Sequence, residues 1–307
     1  MEDFRILAIN PGSTSTKIAV YQNMNPVFVK NITHPNEELA QFEHVADQFH
    51  FRKEIIYKEL EEADIEINKI QAVVGRGGML KPIASGVYQV NDAMKSDLYD
   101  HPIKEHASNL GGLIADDIAR ALPDAKAYIA DPVVVDELDE IARVSGHPLF
   151  KRISIFHALN QKSIARQHAK SIMKHYEDLN LIIVHMGGGI TIGAHQKGKV
   201  IDVNQGLDGE GPFSPERSGT LPSGDLVRFC FSGKYSEKEV LKMVVGNGGI
   251  VAYLGTNSAY EAEQRAQNGD EQAKFILEAL AYQVAKSIGS MVPVLKGEVD
   301  AILLTGG

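Results

Sequence analysis

Apolar and polar residues alternate in blocks that predict strands mixed with helices along the whole chain. Residues 181–184, Leu-Ile-Ile-Val, form an apolar run without a polar break, which is typical of a strand buried on both faces. Three glycines follow at Gly187–Gly189, and Ile190–Ile192 resumes a β-branched strand. Because a glycine turn between strands lets backbone N–H groups approach a bound anion, we interpret this hairpin as phosphate-binding rather than as a plain tight turn.

A second copy of this plan lies near the start of the chain. Residues 6–20 read as an apolar strand, the turn Asn10–Ser15 and a returning strand that begins at Lys17. One such hairpin is weak evidence, but two of them, the second opening the latter half of the chain, indicate duplicated domains that face one nucleotide. A strand rather than a helix follows the glycines, and no G-x-x-x-x-G-K-[ST] occurs, so a dinucleotide fingerprint and a Walker-type P-loop are both excluded.

The remaining pattern predicts the other elements and a domain boundary. Helical spacing occurs within residues 35–63, and helices are predicted at 110–122, 133–144, 160–176, 237–245 and 272–292, with strands at 71–74 and 125–130. The breaker Ser145–Pro148 places the boundary at about residue 150, which gives domains 1–150 and 151–307. Residues 202–223 are rich in glycine and proline and lack periodicity, and we expect this long loop to be functional.

Length and charge narrow the class of protein. A chain of 307 residues is long enough for two domains, and a formal charge of −9 argues against nucleic acid as a partner. The single cysteine, Cys230, forms no internal disulfide, which suits a reducing cytoplasm, and its apolar neighbours predict a buried thiol. The first residues, MEDFRIL, lack a signal-peptide pattern, and no apolar run approaches the ~18 residues of a membrane span. We therefore expect a cytoplasmic protein without a membrane partner.

The two hairpins, with the apolar strand and glycines of residues 301–307 (AILLTGG), resemble the phosphate motifs and the adenosine loop of the sugar kinase, heat-shock 70 and actin superfamily. Within it the chain is similar, over effectively its whole length, to the acetokinase family of acetate and butyrate kinases, and most of all to the butyrate and branched-chain fatty acid kinases. The resemblance implies an α/β fold: two ribonuclease-H-like (actin-like ATPase) domains with mixed sheets flanked by helices and a central nucleotide cleft.

The same resemblance implies a reaction and its partners. The expected activity is the reversible, ATP-dependent phosphorylation of butyrate, isobutyrate or another branched acid to its acyl phosphate, with Mg²⁺ as cofactor and ADP as product. A homodimer or higher homo-oligomer is expected on the same ground. Two alternatives stay open: an acetate or propionate kinase, and a non-enzymatic, actin-like nucleotide-binding protein. Family members continue beyond the adenosine motif and carry a second metal-side carboxylate there, so we expect the C-terminal domain to be truncated at Gly307.

A carboxylate is already a nucleophile at neutral pH, so its kinase needs cations and positioning rather than a general base. Arg76 stands between glycines after a strand, where an arginine has little to pack against, and its planar fork suits a carboxylate or phosphate. Arg217 lies in the long loop, and without the resemblance its function is undecided. Both match family arginines that flank the transferring phosphoryl group, although Glu216 replaces the threonine of the T-R-S-G pattern.

Two further residues are assigned catalytic roles by the resemblance. His157, predicted at a strand-to-helix junction, fits the family's R-x-x-F-H signature with one additional residue after Arg152, and there the histidine bonds the phosphoryl oxygens. Taken alone, a histidine beside apolar residues is more often a hydrogen-bonded core group. Asp131 ends a strand before Pro132. From sequence alone, a role in capping the turn and a functional role are equally supported. The resemblance implies the functional role, because the family aspartate helps to hold Mg²⁺.

The resemblance also assigns the nucleotide contacts and the shape of the acid pocket. Asn10 and Asp131 would organise the metal. Lys17 would contact the nucleotide, although a surface position without such a contact is an equal alternative. Gly77 and Gly78 replace bulky family residues after the arginine, which predicts a wider acid pocket unless they only permit a tight turn. The cofactor-binding residues implied are Asn10, Ser13, Ser15, Lys17, His185, Gly187, Gly188, Gly189, Gly306 and Gly307.

Overall fold

A computed structural model describes residues 4–100 and 105–306, and the chain divides into two compact units, Met1–Val135 and Asp136–Gly307. The division therefore precedes the boundary that the sequence places at about residue 150. Residues after Val135 bond to the second unit: Glu137 accepts from Nζ of Lys162 at 2.6 Å and from the backbone N–H of Val200 at 2.9 Å. The breaker Ser145–Pro148 lies inside that unit.

The sheet of the first unit has six strands in the order β3-β2-β1-β4-β6-β5. Strands β1, β2 and β3 form an antiparallel meander, β4 runs parallel to β1, β6 runs parallel to β4, and β5 is an antiparallel edge strand. This is the predicted ribonuclease-H-like arrangement. The strands are β1 Arg5–Pro11, β2 Ser15–Gln22, β3 Asn25–Thr33, β4 Ala72–Arg76, β5 Val87–Gln89 and β6 Lys126–Ala130.

The second unit repeats the four-strand core of the first, which confirms the predicted duplication. Its strands are β7 Asn180–Met186, β8 Ile190–Gln196, β9 Lys199–Val203 and β10 Ala301–Gly306. They lie in the order β10-β7-β8-β9, with β7, β8 and β9 antiparallel and β10 parallel to β7. The run 181–184 is fully buried, as an unbroken apolar strand predicts.

Helices cover the sheets of both units. They are α1 Asn36–Leu39, α2 Phe49–Glu62, α3 Asp92–Tyr99, α4 Asn109–Arg120, α5 Ala158–Ser171, α6 Ser223–Cys230, α7 Glu237–Val244, α8 Ile250–Leu254, α9 Ala259–Gln267 and α10 Glu271–Val294. In the second unit α10 packs on one face of the sheet through Val284 and Met291, and α5 packs on the other through Ala165 and Ala169. No helix in the described part of the chain is long and apolar enough to span a membrane.

Two local predictions are wrong. The helix expected over 133–144 is reduced to the 3₁₀ turn Glu140–Arg143. Asp136 accepts a hydrogen bond from Nη1 of Arg143 at 2.7 Å, and Arg143 also donates to the Leu138 carbonyl, so side chains hold this segment in an irregular path. Cys230 is exposed rather than buried because α6 lies at the surface of its unit.

Backbone contact between α4 and β4 fixes the strand end that carries Arg76. A Cβ atom on Gly75 would lie 2.1 Å from the Gly111 carbonyl oxygen, and one on Gly111 would lie 2.3 Å from the Arg76 carbonyl oxygen. Both distances are far below a van der Waals contact, so only glycine permits this approach. The helix backbone therefore rests directly on the end of the strand.

Candidate active site

Three predicted site residues lie at, or directly after, the carboxyl ends of neighbouring parallel strands of the first unit. In the register of the sheet Ile9 pairs with Gly75 and Arg76 pairs with Ala130, so Asn10, Arg76 and Asp131 reach the same carboxyl edge. Nη1 of Arg76 donates to Oδ1 of Asn10 at 3.3 Å. Burial lowers the pKa of Arg76 from its ordinary value, but the guanidinium keeps its charge at neutral pH. The sheet thus presents a cation and an amide oxygen side by side.

Asp131 is held in a strained conformation at this edge. It is 5% exposed, and its φ of +35° is a left-handed value that a residue before proline rarely adopts. Its Oδ1 accepts from Oγ of Ser85 at 2.6 Å and from the Gly86 N–H at 2.9 Å, while its own N–H donates to the Gly86 carbonyl at 3.0 Å. The turn-holding role that the sequence left open is therefore present, and any metal would share this carboxylate with the loop.

The donor chemistry of this edge suits a hard cation. Mg²⁺ prefers oxygen ligands and is held in proteins by one or two carboxylates, with phosphate oxygens and water completing its shell. Asp131 and Asn10 supply one carboxylate and one amide oxygen. Within residues 4–100 and 105–306 no group of three or more His, Cys, Asp or Glu side chains forms an all-protein metal site. The residues therefore fit a metal that arrives with a phosphate ligand.

The first predicted phosphate turn joins β1 to β2. It is closed by a hydrogen bond from the Gly12 N–H to the Ser15 carbonyl at 2.7 Å. The N–H groups of Ser13 and Thr14 donate to no acceptor in the described part of the chain, which leaves them available to an anion. Lys17 is exposed on β2 opposite Asn10. The turn thus has the geometry expected of a phosphate site.

A buried arginine that the sequence analysis did not identify supports this turn from behind. Arg52 of α2 is fully buried, and no carboxylate among the described residues forms an ion pair with it. Burial lowers its pKa to about 10, so it remains a cation at neutral pH. Its guanidinium donates to the carbonyls of Gly12, Ser13 and Ser15, to Oγ1 of Thr16 and to Oε1 of Gln48, at distances of 2.9–3.1 Å.

His34 completes this buried polar group. It is 2% exposed, and its Nε2 lies 2.8 Å from Oγ1 of Thr16. Burial, assisted by the charge of Arg52, lowers the pKa of His34 to about 4. The imidazole is therefore neutral at physiological pH, and Arg52 supplies positive charge behind the turn.

The second unit brings two predicted histidines into contact. His157 immediately precedes α5, His185 lies near the end of β7, and their rings stack with centroids 3.7 Å apart and planes 13° apart. Nδ1 of His185 donates to Oδ1 of Asn160 at 2.8 Å. The strand expected before His157 is absent, since residues 149–157 are irregular. The junction therefore leads from an extended loop, rather than from a strand, into the helix.

Arg217, in the long loop, lies on the second glycine turn. A Cβ atom on Gly189 would lie 2.0 Å from Nη1 of Arg217, so only glycine lets the guanidinium rest on the turn. Nη1 of Arg217 also donates to the Gly206 carbonyl, and Oγ of Ser214 donates to the Gly188 carbonyl at 2.6 Å. Burial lowers the pKa of Arg217, while nearby Glu216 and Asp208 oppose the shift. Loop 204–222 therefore carries a cation to the turn.

The adenosine-loop residues are described only in part. Gly306 has a φ of +107°, and a Cβ atom there would lie 2.0 Å from the Met186 carbonyl oxygen. This close approach of β10 to β7 explains the glycine in structural terms. Gly307 lies outside the described residues.

The glycines after Arg76 do not open a pocket. Both are buried, and a Cβ atom on Gly77 would lie 2.4 Å from Cβ of Pro132. A Cβ atom on Gly78 would lie 2.6 Å from Cα of Asn109 and 2.6 Å from Cδ2 of Leu98. The space beside both glycines is filled by protein, so the prediction of a wider acid pocket at this point is wrong. The tight-packing alternative accounts for both residues.

Comparisons with known proteins relate this arrangement to a family. Residues 149–307 match the Acetokinase family. The chain is 57% identical over 304 residues to butyrate kinase 2 of Clostridium acetobutylicum, an alignment that covers 99% of the chain and 85% of that relative.

Solved structures show the same fold. Acetate kinase of Porphyromonas gingivalis matches with a TM-score of 0.79 at 19% identity, covering 99% of the chain and 83% of that structure. A propionate kinase of Francisella tularensis matches with a TM-score of 0.74 at 22% identity, covering 99% of the chain and 84% of that structure.

Proposed function

Because the chain belongs to the acetokinase family, we propose that it transfers the γ-phosphoryl group of ATP to the carboxylate of butyrate or another short-chain fatty acid. The observation that carries this proposal is the 57% identity to butyrate kinase 2 over 304 residues. The placement of Arg76, and of Arg217 with His157, supports it, since a protein that only binds nucleotide has no use for cations aimed at a phosphoryl acceptor.

The reaction is a direct in-line displacement. A carboxylate oxygen of the acid forms a bond to the γ-phosphorus while the bond from that phosphorus to the β,γ-bridging oxygen breaks, and ADP leaves with the bridging oxygen. The acid is already ionised at neutral pH, so no general base is required. Arg76 holds the acid carboxylate or a phosphoryl oxygen, and Arg217 and His157 donate to the charge that spreads over the transferring group.

The nucleotide phosphates are held by the two glycine turns. In the first turn the N–H groups of Ser13 and Thr14 donate to phosphate oxygens, with the charge of Arg52 behind them. Asn10 and Asp131 are the residues that would hold Mg²⁺, which neutralises phosphate charge when it is bound. The remaining proposed phosphate contacts come from Ser15, Lys17, His185 and Gly187–Gly189. A homo-oligomer and a cytoplasmic location remain predictions of the sequence.

Acyl phosphate formation tests this function. The chain is incubated with ATP, Mg²⁺ and equal concentrations of acetate, propionate, butyrate and isobutyrate, and the products are trapped and separated. Two additional methylenes buried at about 0.8 kcal/mol each favour butyrate over acetate by roughly tenfold. Preference for acetate or propionate would support the alternative within the family. Absence of acyl phosphate with every acid, in protein that binds ATP, would favour the non-enzymatic alternative.

A further inference from the structure

A buried chain of hydrogen bonds leads from the interior of the second unit to His157. Nδ1 of His157 lies 2.9 Å from Oγ1 of Thr191. Oγ1 and the carbonyl oxygen of Thr191 each accept from Nε2 of Gln161, at 2.9 Å and 3.1 Å. Oε1 of Gln161 lies 2.9 Å from Nε2 of His195, whose Nδ1 lies 2.6 Å from the Tyr176 hydroxyl. Gln161, Thr191 and His195 are fully buried, and Tyr176 is 4% exposed.

The direction of these hydrogen bonds follows from their end groups. A backbone carbonyl only accepts, so the amide nitrogen of Gln161 must face Thr191, and its Oε1 must face His195. Oε1 in turn only accepts, so Nε2 of His195 carries a proton. Burial and the nearby charge of Lys162 lower the pKa of His195 to about 3, so this ring is neutral and its Nδ1 accepts from Tyr176.

The same logic determines the proton on His157. Oγ1 of Thr191 accepts from Gln161, and its other described partner is Nδ1 of His157. If Nδ1 were protonated, the Thr191 hydroxyl would be left with a buried hydrogen and no acceptor among the described residues, which is energetically unfavourable. Donation from the Thr191 hydroxyl to an unprotonated Nδ1 gives every group in this series of hydrogen bonds a partner.

The fold keeps room for this arrangement. Thr191, Gly193 and His195 follow one another at alternate positions of β8, and Gln161 of α5 spans Gly193 to reach both neighbours. A Cβ atom on Gly193 would lie 2.5 Å from Oε1 of Gln161. Any other residue would displace the amide that orients Thr191.

We propose that Thr191, oriented by Gln161, is a positioning residue that holds His157 in the neutral form with its proton on Nε2. His157 then carries its N–H donor on Nε2, the nitrogen that Thr191 does not contact, and a donor of this kind stabilises negative charge on a phosphoryl oxygen. The role in catalysis rests on the proposed function, whereas the position of the proton does not.

Nitrogen NMR of the full chain measures the position of this proton directly. The protein is labelled with ring-¹⁵N histidine, and two-bond ¹H–¹⁵N correlation spectra at neutral pH separate protonated from unprotonated ring nitrogens. Among the 11 histidines, His157 is assigned by the signals that disappear in His157→Gln. We expect an unprotonated Nδ1 and a protonated Nε2. A wild-type spectrum with the proton on Nδ1 would overturn the proposal.

Matched variants test whether Thr191 sets this state. Thr191→Val keeps the shape but removes the hydroxyl, so His157 should populate both tautomers, and kcat should fall about tenfold with KM values within about twofold. Thr191→Ser retains the hydroxyl and should keep the wild-type spectrum and kcat. Tyr176→Phe removes the hydroxyl at the end of the hydrogen-bond series farthest from His157, and the spectrum of His157 should not change.

The outcomes separate the two proposals. A wild-type tautomer spectrum in folded Thr191→Val would overturn the positioning role. A change in the His157 tautomer ratio of Tyr176→Phe as large as the change in Thr191→Val would also overturn it, since a general loosening of the packing would then explain both. A protein that shows the expected spectra but phosphorylates no acid would leave the tautomer assignment standing and refute the proposed function.

Discussion

Replacing Arg52 with methionine tests the support of the first phosphate turn. The change removes a fully buried guanidinium and leaves an aliphatic side chain that fills part of its volume. Five acceptors then lose the hydrogen bond from Arg52: the carbonyls of Gly12, Ser13 and Ser15, Oγ1 of Thr16 and Oε1 of Gln48. The Ser15 carbonyl keeps the Gly12 N–H, and Oγ1 of Thr16 keeps its contact with His34. Each buried acceptor left without a partner costs about 1–3 kcal/mol.

The net effect is smaller than the sum of these costs. Ser13 is exposed, so water reaches part of the turn. Removal of a buried cation that has no carboxylate partner among the described residues also recovers its desolvation penalty. We expect Arg52→Met to lower the free energy of unfolding by about 3–5 kcal/mol, a large part of the ~5–15 kcal/mol that stabilises a typical domain. Arg52→Lys keeps the charge with at most three donors and should lose roughly half as much.

Denaturant unfolding followed by circular dichroism gives the free energies, and hydrogen exchange locates the change. Exchange should accelerate at residues 10–16 and in α2 while β7–β10 remain protected. Lys58→Met is the matched control, because Lys58 lies on the same helix, is 72% exposed in its side chain and forms only a surface ion pair with Glu62. It should cost under about 1 kcal/mol. An Arg52→Met variant within about 1 kcal/mol of wild type, with unchanged exchange at the turn, would refute this reasoning.

Three further predictions concern catalysis, packing and pH. Arg76→Ala and Arg217→Ala should each lower kcat by about 10²–10³ in folded protein, since each removes a proposed donor to the transferring phosphoryl group. A variant that keeps a tenth of wild-type turnover would exclude a catalytic role for that arginine. Gly78→Val should reduce activity equally towards acetate and butyrate and lower the thermal midpoint, because Asn109 and Leu98 occupy its space; a selective shift towards acetate would contradict this. In the unfolded state His34 takes up a proton near its ordinary pKa of 6.5, whereas in the folded state it does so only near 4. The free energy of unfolding should therefore fall by on the order of 2–3 kcal/mol as the pH drops from 6.5 to 4. His34→Gln should flatten this dependence of stability on pH.

The strands and turns were predictable because their signals are local. An unbroken apolar run, three glycines and a β-branched return define the second hairpin within about a dozen residues, and the first hairpin has the same plan. Arg76 was selected as a candidate in the same way, from glycines on both sides of an arginine after a strand. These features depend on neighbours in sequence, and the structure places them where the pattern indicates.

The residues behind the turns were missed because their partners are distant in sequence. Arg52 stands in a polar helix that reads as a surface element, yet it reaches Gly12 and Thr16 across the first unit. Gln161 and His195 carry no motif, and their meaning depends on a contact between α5 and β8. The glycines at 77 and 78 were misread for the same reason, since the Pro132 and Asn109 side chains that fill their space arrive from other elements.

The two hairpins share a plan but differ in what supports them, and this difference determines what each can tolerate. In the first turn the buried guanidinium of Arg52 donates to three carbonyls, so a side chain from a helix supports the turn. The second turn is supported by loop 204–222. The Ser214 hydroxyl and the Glu216 N–H donate to the Gly188 carbonyl, and Arg217 lies on Gly189. The first turn is therefore sensitive to a fully buried residue behind it, whereas the second is supported by the same loop that supplies a proposed catalytic arginine. Duplication of the strands did not require duplication of the support, because the turn carbonyls can be satisfied either by a buried side-chain cation or by donors from a loop.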